Sequence, residues 1–97
     1  HEGLMANAAS TGAYLLDGLR KLKRDTGLLA RARGRGLMAA IDLEEPWAAD
    51  LVNQAREQGL LVNNTGPSTI RMVPPLTITP AEVDEGLAVL GEVLRQR

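Results

Sequence analysis

The chain has 97 residues, a net charge of −1 and no cysteine, and Tyr14 and Trp47 are its only aromatic residues. We therefore expect one small domain whose core is built from aliphatic side chains. The missing cysteines exclude disulfides and thiolate metal sites, and the balanced charge provides no field that would draw the chain to nucleic acid or to an anionic membrane. No apolar stretch has the length of a membrane span, and residues 1–10 lack a signal-peptide pattern, so a cytoplasmic protein is expected.

Residues 3–24 have the apolar spacing of an amphipathic helix. One stripe repeats at intervals of three and four residues: Leu4, Ala8, Gly12, Leu15, Leu19 and Leu22. Gly27 suits the left-handed residue that ends a helix. The cations of the last turns, Arg20, Lys21, Lys23 and Arg24, are explained by solvation and by the helix dipole, and no aromatic residue accompanies them as nucleic-acid binding would require.

A strand is predicted over residues 37–43. Leu37, Ala39, Ile41 and Leu43 share one face, while Met38, Ala40 and Asp42 share the other. A weaker strand signal covers residues 29–33, where Arg31, Arg33 and Arg35 alternate and would make one face positive. Acidic groups outside this chain are one possible set of partners for these arginines. Gly34 and Gly36 indicate a bend where the backbone passes close to another segment.

Pro46 suits the first turn of a second helix through residues 47–58, in which Trp47, Leu51 and Ala55 lie one above another. Gly59 is the expected left-handed residue after it. Two short strands over residues 60–63 and 69–73 flank a turn at residues 64–68. Thr79 and Glu82 form a capping box with Pro80 between them, and a last helix carries the stripe Val83, Leu87, Leu90 and Leu94. The order predicts an α+β fold with a small mixed or antiparallel sheet covered by helices.

Arg71 is the residue with the clearest chemical signal. It stands between Ile70 and Met72 in an apolar run, and alternation places it on the opposite face of the strand from them. A guanidinium stays charged and can grip a carboxylate with two parallel hydrogen bonds. The alternative from physics alone is an arginine on the solvent side of an edge strand.

Other catalytic signals are weak. The only histidine is His1, at the terminus, so neither a nucleophilic triad nor a histidine-ligated metal site is expected. Asn63, Asn64 and Thr65 could hydrogen-bond a ligand, although such residues in a tight turn more often satisfy their own backbone. Asn64 and Thr65 are retained as candidate ligand-binding residues beside Arg71.

Three segments carry a resemblance to a known family. The run of residues 59–76, the sequence Arg33-Gly-Arg-Gly-Leu-Met38 with its continuation to Leu43, and residues 77–85 occur in the order found in the class III (ornithine-type) pyridoxal-phosphate aminotransferases. The likeness is greatest to the acetylornithine branch. It implies that residues 1–97 form the C-terminal small domain of a fold-type I enzyme, about a quarter of a subunit.

The resemblance also implies roles for residues inside and outside the chain. Arg71 matches the arginine that binds the substrate α-carboxylate in the glutamate/2-oxoglutarate half-reaction. Pyridoxal 5′-phosphate, its Schiff-base lysine and the other catalytic residues belong to the large domain, so the fragment alone is expected to be inactive. The parent would be a homodimer that transfers an amino group from N-acetylornithine to 2-oxoglutarate in arginine biosynthesis.

Two interpretations from other classes stay open at this point. The chain could be a free-standing α+β regulatory module in which Arg71 binds an amino acid without catalysis. It could also be an interaction domain whose first helix docks on a partner through Leu4, Ala8 and Leu15.

Overall fold

The computed structural model describes residues 2–96, without the side chains of Glu2 and Leu4. The predictions on His1 and on the Leu4 side chain lie outside this part. The elements are, in order, α1 (Glu2–Thr26), β1 (Leu29–Arg35), β2 (Met38–Leu43), α2 (Ala48–Glu57), β3 (Asn63–Asn64), β4 (Thr69–Met72) and α3 (Pro80–Gln96). Across residues 2–96, no helix is both long and apolar enough to cross a bilayer.

The four strands form one antiparallel sheet in the order β1-β2-β4-β3. This confirms the predicted α+β class and resolves the sheet type as antiparallel. The weakly predicted first strand is present and runs two residues further than expected, to Arg35. A register shift between Leu29 and Arg31 allows Leu29 to stay buried while the alternating arginines remain exposed.

The strand β3 is shorter than the predicted span of residues 60–63. The backbone N–H of Leu60 donates to Ala55 O at 2.9 Å, and that of Gly59 donates to Arg56 O at 3.0 Å. These bonds close the end of α2, with Gly59 in the left-handed region at φ 87°. Leu60 is therefore used in the helix termination rather than in a strand, and pairing with β4 starts only at Asn63.

The helices pack on one face of the sheet, where the core lies. The strands contribute Ala39, Ile41, Leu43 and Ile70, and Trp47 is buried in the same core with Leu51 and Ala55 of α2. From α1, Leu15 is 7% exposed within this same core. A role for Leu15 in docking on a separate partner is thus not supported, because this side chain is already buried inside the domain.

The helix α1 lies unusually close to the turn between β1 and β2. A Cβ added to Gly12 would fall 1.9 Å from the carbonyl oxygen of Gly36, which itself has a φ of 57°. This contact confirms the predicted close passage at the Gly34–Gly36 bend. On its other side, α1 packs on α3, and the Tyr14 hydroxyl donates to Asp84 Oδ1 at 2.5 Å.

The helix ends largely follow their sequence signals. Gly27 ends α1 with a φ of 67°. At α3, the N–H of Glu82 donates to Thr79 Oγ1 at 3.2 Å and the N–H of Thr79 donates to Glu82 Oε1 at 3.0 Å, which is the predicted capping box. The start of α2 was placed too early: Trp47 has non-helical angles (φ −122°, ψ 27°), so Pro46 precedes the helix instead of occupying its first turn.

Candidate functional site on the open face of the sheet

Arg71 lies in β4 and points away from the core. Its neighbour Ile70 is fully buried and Met72 is partly buried, whereas Arg71 is exposed and Val73 is 63% exposed. The predicted alternation is confirmed, and β4 ends at Met72, directly before Val73 and the two prolines. Within residues 2–96 the guanidinium of Arg71 makes no hydrogen bond or ion pair. The charge is held on a paired strand and is available to a ligand or to further protein.

The strand register places Arg71 in a row that crosses the whole sheet. Ala40 of β2 is the Cα partner of Arg71 on one side and of Arg33 on the other, and Asn63 of β3 is the partner of Arg71 at the opposite edge. The row is therefore Arg33, Ala40, Arg71 and Asn63. Because Ala40 has a small side chain, no bulky group stands between Arg33 and Arg71 on this face.

The adjacent row is organised around one carboxylate. Asp42 Oδ2 accepts from Arg31 Nε at 3.0 Å and from Arg33 Nε at 3.3 Å, while Asp42 Oδ1 accepts from Arg33 Nη2 at 3.3 Å and from Thr69 Oγ1 at 2.7 Å. The hydrogen bonds from Arg33 and Thr69, with that from Arg31, hold the pKa of Asp42 at about 2, below its usual value. The chain thus supplies its own acidic partner for Arg31 and Arg33.

The two other candidate residues lie where β3 ends: Asn64 is its last residue, and Thr65 begins the turn that follows. Asn64 is opposite Ile70, and its Nδ2 donates to the carbonyl oxygen of Gly66 at 3.3 Å. The backbone N–H of Thr65 donates to Thr69 O at 2.9 Å, and the Thr65 side chain is exposed. Both residues shape the turn, and their role toward a ligand stays a prediction. The neighbouring Asn63, opposite Arg71, is closer in register to the candidate site.

The residues described here do not form a pyridoxal-phosphate site. A cofactor-binding lysine needs an apolar pocket that lowers its pKa. Lys21 instead has a 71% exposed side chain and pairs with Asp25 at 3.2 Å, and Lys23 is exposed on the same helix. That the large domain holds the cofactor stays a prediction.

Sequence reasoning did not single out Asp42 as part of this surface. A signal was available, because Asp42 is the only acid within the predicted strand at residues 37–43, next to a segment with three alternating arginines. What was missing was the register that sets Asp42 opposite Arg31 and beside Thr69.

Comparison with known proteins places this geometry in a family. The family model for aminotransferase class-III matches residues 1–94. The chain belongs to the class III aminotransferases. It is 51% identical over 93 residues to the acetylornithine aminotransferase of Gloeobacter violaceus, an alignment that covers 95% of this chain and 23% of that protein.

Solved structures of family members share the fold. The N-acetylornithine aminotransferase of Stenotrophomonas maltophilia superimposes with a TM-score of 0.91 at 33% identity, over 99% of this chain and 27% of that one. The lysine aminotransferase of M. tuberculosis in its internal aldimine form gives 0.92 at 34% identity, over 98% and 22% respectively. The chain therefore spans about a quarter of the length of the relatives that it matches. The expected family and its α+β small-domain fold are both confirmed.

Proposed function

We propose that this chain is the C-terminal small domain of a class III aminotransferase and that Arg71 binds the α-carboxylate of the amino acid or 2-oxo acid substrate. The observation that carries the proposal is the state of Arg71: a charge on a paired strand, on the open face, with no partner among residues 2–96. A permanently charged group in that position is suited to receive an anion from outside the domain.

The chemistry of the contact follows from the shape of the guanidinium. Two parallel N–H groups meet the two oxygens of a carboxylate, and each charge-assisted hydrogen bond contributes about 1.5–3 kcal/mol. Because β4 is paired with β2 on one side and β3 on the other, the backbone that carries Arg71 is restrained on both sides. The residue would bind and orient the substrate, and would take no part in proton transfer.

Exposed apolar side chains support the view that more protein covers this domain. Leu61 is 82% exposed, Val73 63% and Met38 57%. Leu61 and Val73 border a cavity of about 380 Å³ that also contacts Pro74, Pro75 and Leu87. Apolar surface of this kind commonly marks an interface. This chain matches only about a quarter of the length of its relatives. We therefore take the covering protein to be a large domain of the same polypeptide, which would also hold pyridoxal 5′-phosphate.

For the whole enzyme we propose transfer of an amino group from N-acetylornithine to 2-oxoglutarate, in arginine biosynthesis, by a cytoplasmic homodimer. Support for this donor comes from the similarity to acetylornithine aminotransferases, the relative at 51% identity among them. The lysine aminotransferase neighbour shows that the same small-domain fold also occurs in an enzyme named for a different amino donor. The donor must therefore be assigned by assay.

The test of the proposal is substitution of Arg71 in the complete subunit. Arg71→Ala should raise the KM for glutamate and for 2-oxoglutarate by about tenfold or more, since two charge-assisted hydrogen bonds are lost. Arg71→Lys should recover part of this, because the charge remains and the planar fork is lost. Pyridoxal-phosphate content, measured by absorbance, should be retained in both variants. Unchanged KM values for both substrates in Arg71→Ala would refute the assignment.

A further inference from the structure

The open face of the sheet carries four arginines in two different states. Arg31 and Arg33 are bound by Asp42, whereas Arg35 and Arg71 have no hydrogen-bond or ion-pair partner for their guanidinium groups within residues 2–96. The difference does not come from depth, because all four arginines are exposed. It comes from the position of one carboxylate. Asp42 therefore determines which cations on this face are available to an incoming anion.

Arg33 is the bound arginine that could interfere with Arg71. Both are Cα partners of Ala40, so their backbones are separated by two strand spacings, about 9–10 Å. Ala40 lies between them and presents no bulky barrier. In the observed arrangement the Arg33 guanidinium is turned along the sheet toward Asp42, which it contacts through both Nε and Nη2. Without that carboxylate, a flexible side chain of this length would be free to turn toward an anion at Arg71.

Asp42 is also connected to the strand that carries Arg71. Thr69, two residues before Arg71 in β4, donates its hydroxyl to Asp42 Oδ1 at 2.7 Å. Asp42 and Thr69 are Cα partners across the β2–β4 pair. The same carboxylate thus holds Arg33 through both of its oxygens and β4 through Oδ1.

We propose that Asp42 is a positioning residue for the carboxylate site at Arg71: it retains Arg31 and Arg33 so that neither of them competes with Arg71 for a substrate carboxylate. This inference rests on the proposed function of Arg71. A dicarboxylate such as 2-oxoglutarate has a second anionic group that a released Arg33 would capture. Capture would hold the substrate in a geometry that cannot react, and Asp42 prevents this unproductive mode.

The experiment uses Asp42→Asn in the complete aminotransferase subunit, because asparagine keeps the size and an acceptor for Thr69 but removes the charge that retains the arginines. Unproductive binding lowers kcat and KM together and leaves kcat/KM unchanged. We expect both constants for 2-oxoglutarate to fall about fivefold, the upper range for a solvent-exposed ion pair. Adding Arg33→Ala to Asp42→Asn should restore both. A purely structural role would not produce this parallel change or its rescue.

Asp25→Asn is the matched control, since it removes an acid that pairs with Lys21 at 3.2 Å on α1, and α1 packs on the opposite face of the sheet from Asp42. It should leave both constants unchanged. A rise in KM with lower kcat/KM in Asp42→Asn, or failure of Arg33→Ala to restore the constants, would overturn the inference. Arg71→Ala is measured in parallel: if it leaves the KM unchanged, the proposed function itself fails, whereas an effect of Arg71→Ala without the parallel change in Asp42→Asn refutes only the role of Asp42.

Discussion

The two faces of the sheet differ in what holds their residues in place. On the helix-covered face, Ile41 and Ile70 are fully buried in an aliphatic core that needs no polar contact. On the open face, one hydrogen bond joins Thr69 and Asp42 of the same two strands, whereas the guanidinium of Arg71 makes none within residues 2–96. Neighbouring residues of one strand therefore have separate tasks: Ile70 stabilises the fold, and Arg71 is free to bind.

This division predicts that stability and substrate binding respond to different substitutions. Burial of aliphatic surface dominates folding free energy, whereas an exposed, unpaired cation contributes little to it. The buried Trp47 is the only tryptophan, so its fluorescence reports unfolding of the chain in each of the following measurements.

The largest difference in unfolding free energy should be found between substitutions of Ile70 and Arg71, which are adjacent in β4. Ile70→Ala removes a fully buried side chain and should lower the free energy of unfolding by about 2–5 kcal/mol. Arg71→Ala should change it by no more than about 0.5 kcal/mol, because the side chain is exposed and no hydrogen bond or ion pair within residues 2–96 is lost. Urea unfolding of both variants measures the difference. Similar losses in the two would contradict the separation of tasks between the faces.

The next effect concerns the close approach of α1 to the β1–β2 turn. The added Cβ in Gly12→Ala would meet the Gly36 carbonyl oxygen at 1.9 Å, so backbone must move at a cost of about 1–3 kcal/mol. Gly3→Ala is the control in the same helix, since nothing lies within 4 Å of its new methyl group. Alanine is the better helix former, so Gly3→Ala should be neutral or slightly stabilising. Equal stability of the two variants would show that this contact is not restrictive.

A smaller loss of unfolding free energy is expected from removing the cap at the start of α3, on the helix-covered side of the sheet. Thr79→Ala removes the hydroxyl that accepts from the Glu82 N–H and should cost about 1 kcal/mol in unfolding free energy. Thr77→Ala, at an exposed position two residues earlier, provides the comparison. A loss at Thr77 as large as that at Thr79 would argue against the capping box as the cause.

The smallest effect, on the open face, should depend on pH. Asp42 has a pKa of about 2 in the folded chain, below its unfolded value near 4, so its stabilisation is present above pH 4 and is lost as the pH falls toward 2. The difference in unfolding free energy between wild type and Asp42→Asn should be on the order of 1 kcal/mol at pH 6, because the arginine partners are half exposed or more. It should shrink between pH 4 and pH 2.5. A pH-independent difference would contradict this.

How far the sequence predicts this structure depends on the scale of the feature. The spacing of leucines in α1 and α3 and the alternation at residues 37–43 predict helices, strand and buried face, because burial requires those periods. The predicted start of β3 at residue 60 was wrong, since local helix termination at Gly59 and Leu60 competes with strand pairing. Intrinsic residue propensity does not decide whether these backbone groups end a helix or pair in a strand.

The candidate site was predictable only in part. The exposure of Arg71 follows from its position between Ile70 and Met72. The chemistry proposed for Arg71 came from the resemblance to a family. The match of the family model to residues 1–94 confirms the family, and the role of Arg71 stays a prediction. The arrangement around Asp42 was not predictable, because it depends on the register of β1 and β4 against β2, with an irregularity between Leu29 and Arg31.

The most direct test of the central claim is the affinity for 2-oxoglutarate in the complete subunit, compared between Arg71→Ala and Arg35→Ala. Both substitutions remove an exposed, unpaired cation from the same face of the sheet. If Arg71 binds the substrate carboxylate, the Kd should rise about tenfold or more in Arg71→Ala and stay within about twofold of wild type in Arg35→Ala. Equal changes in the two variants would mean that the face contributes only general positive charge, and would contradict the assignment of Arg71.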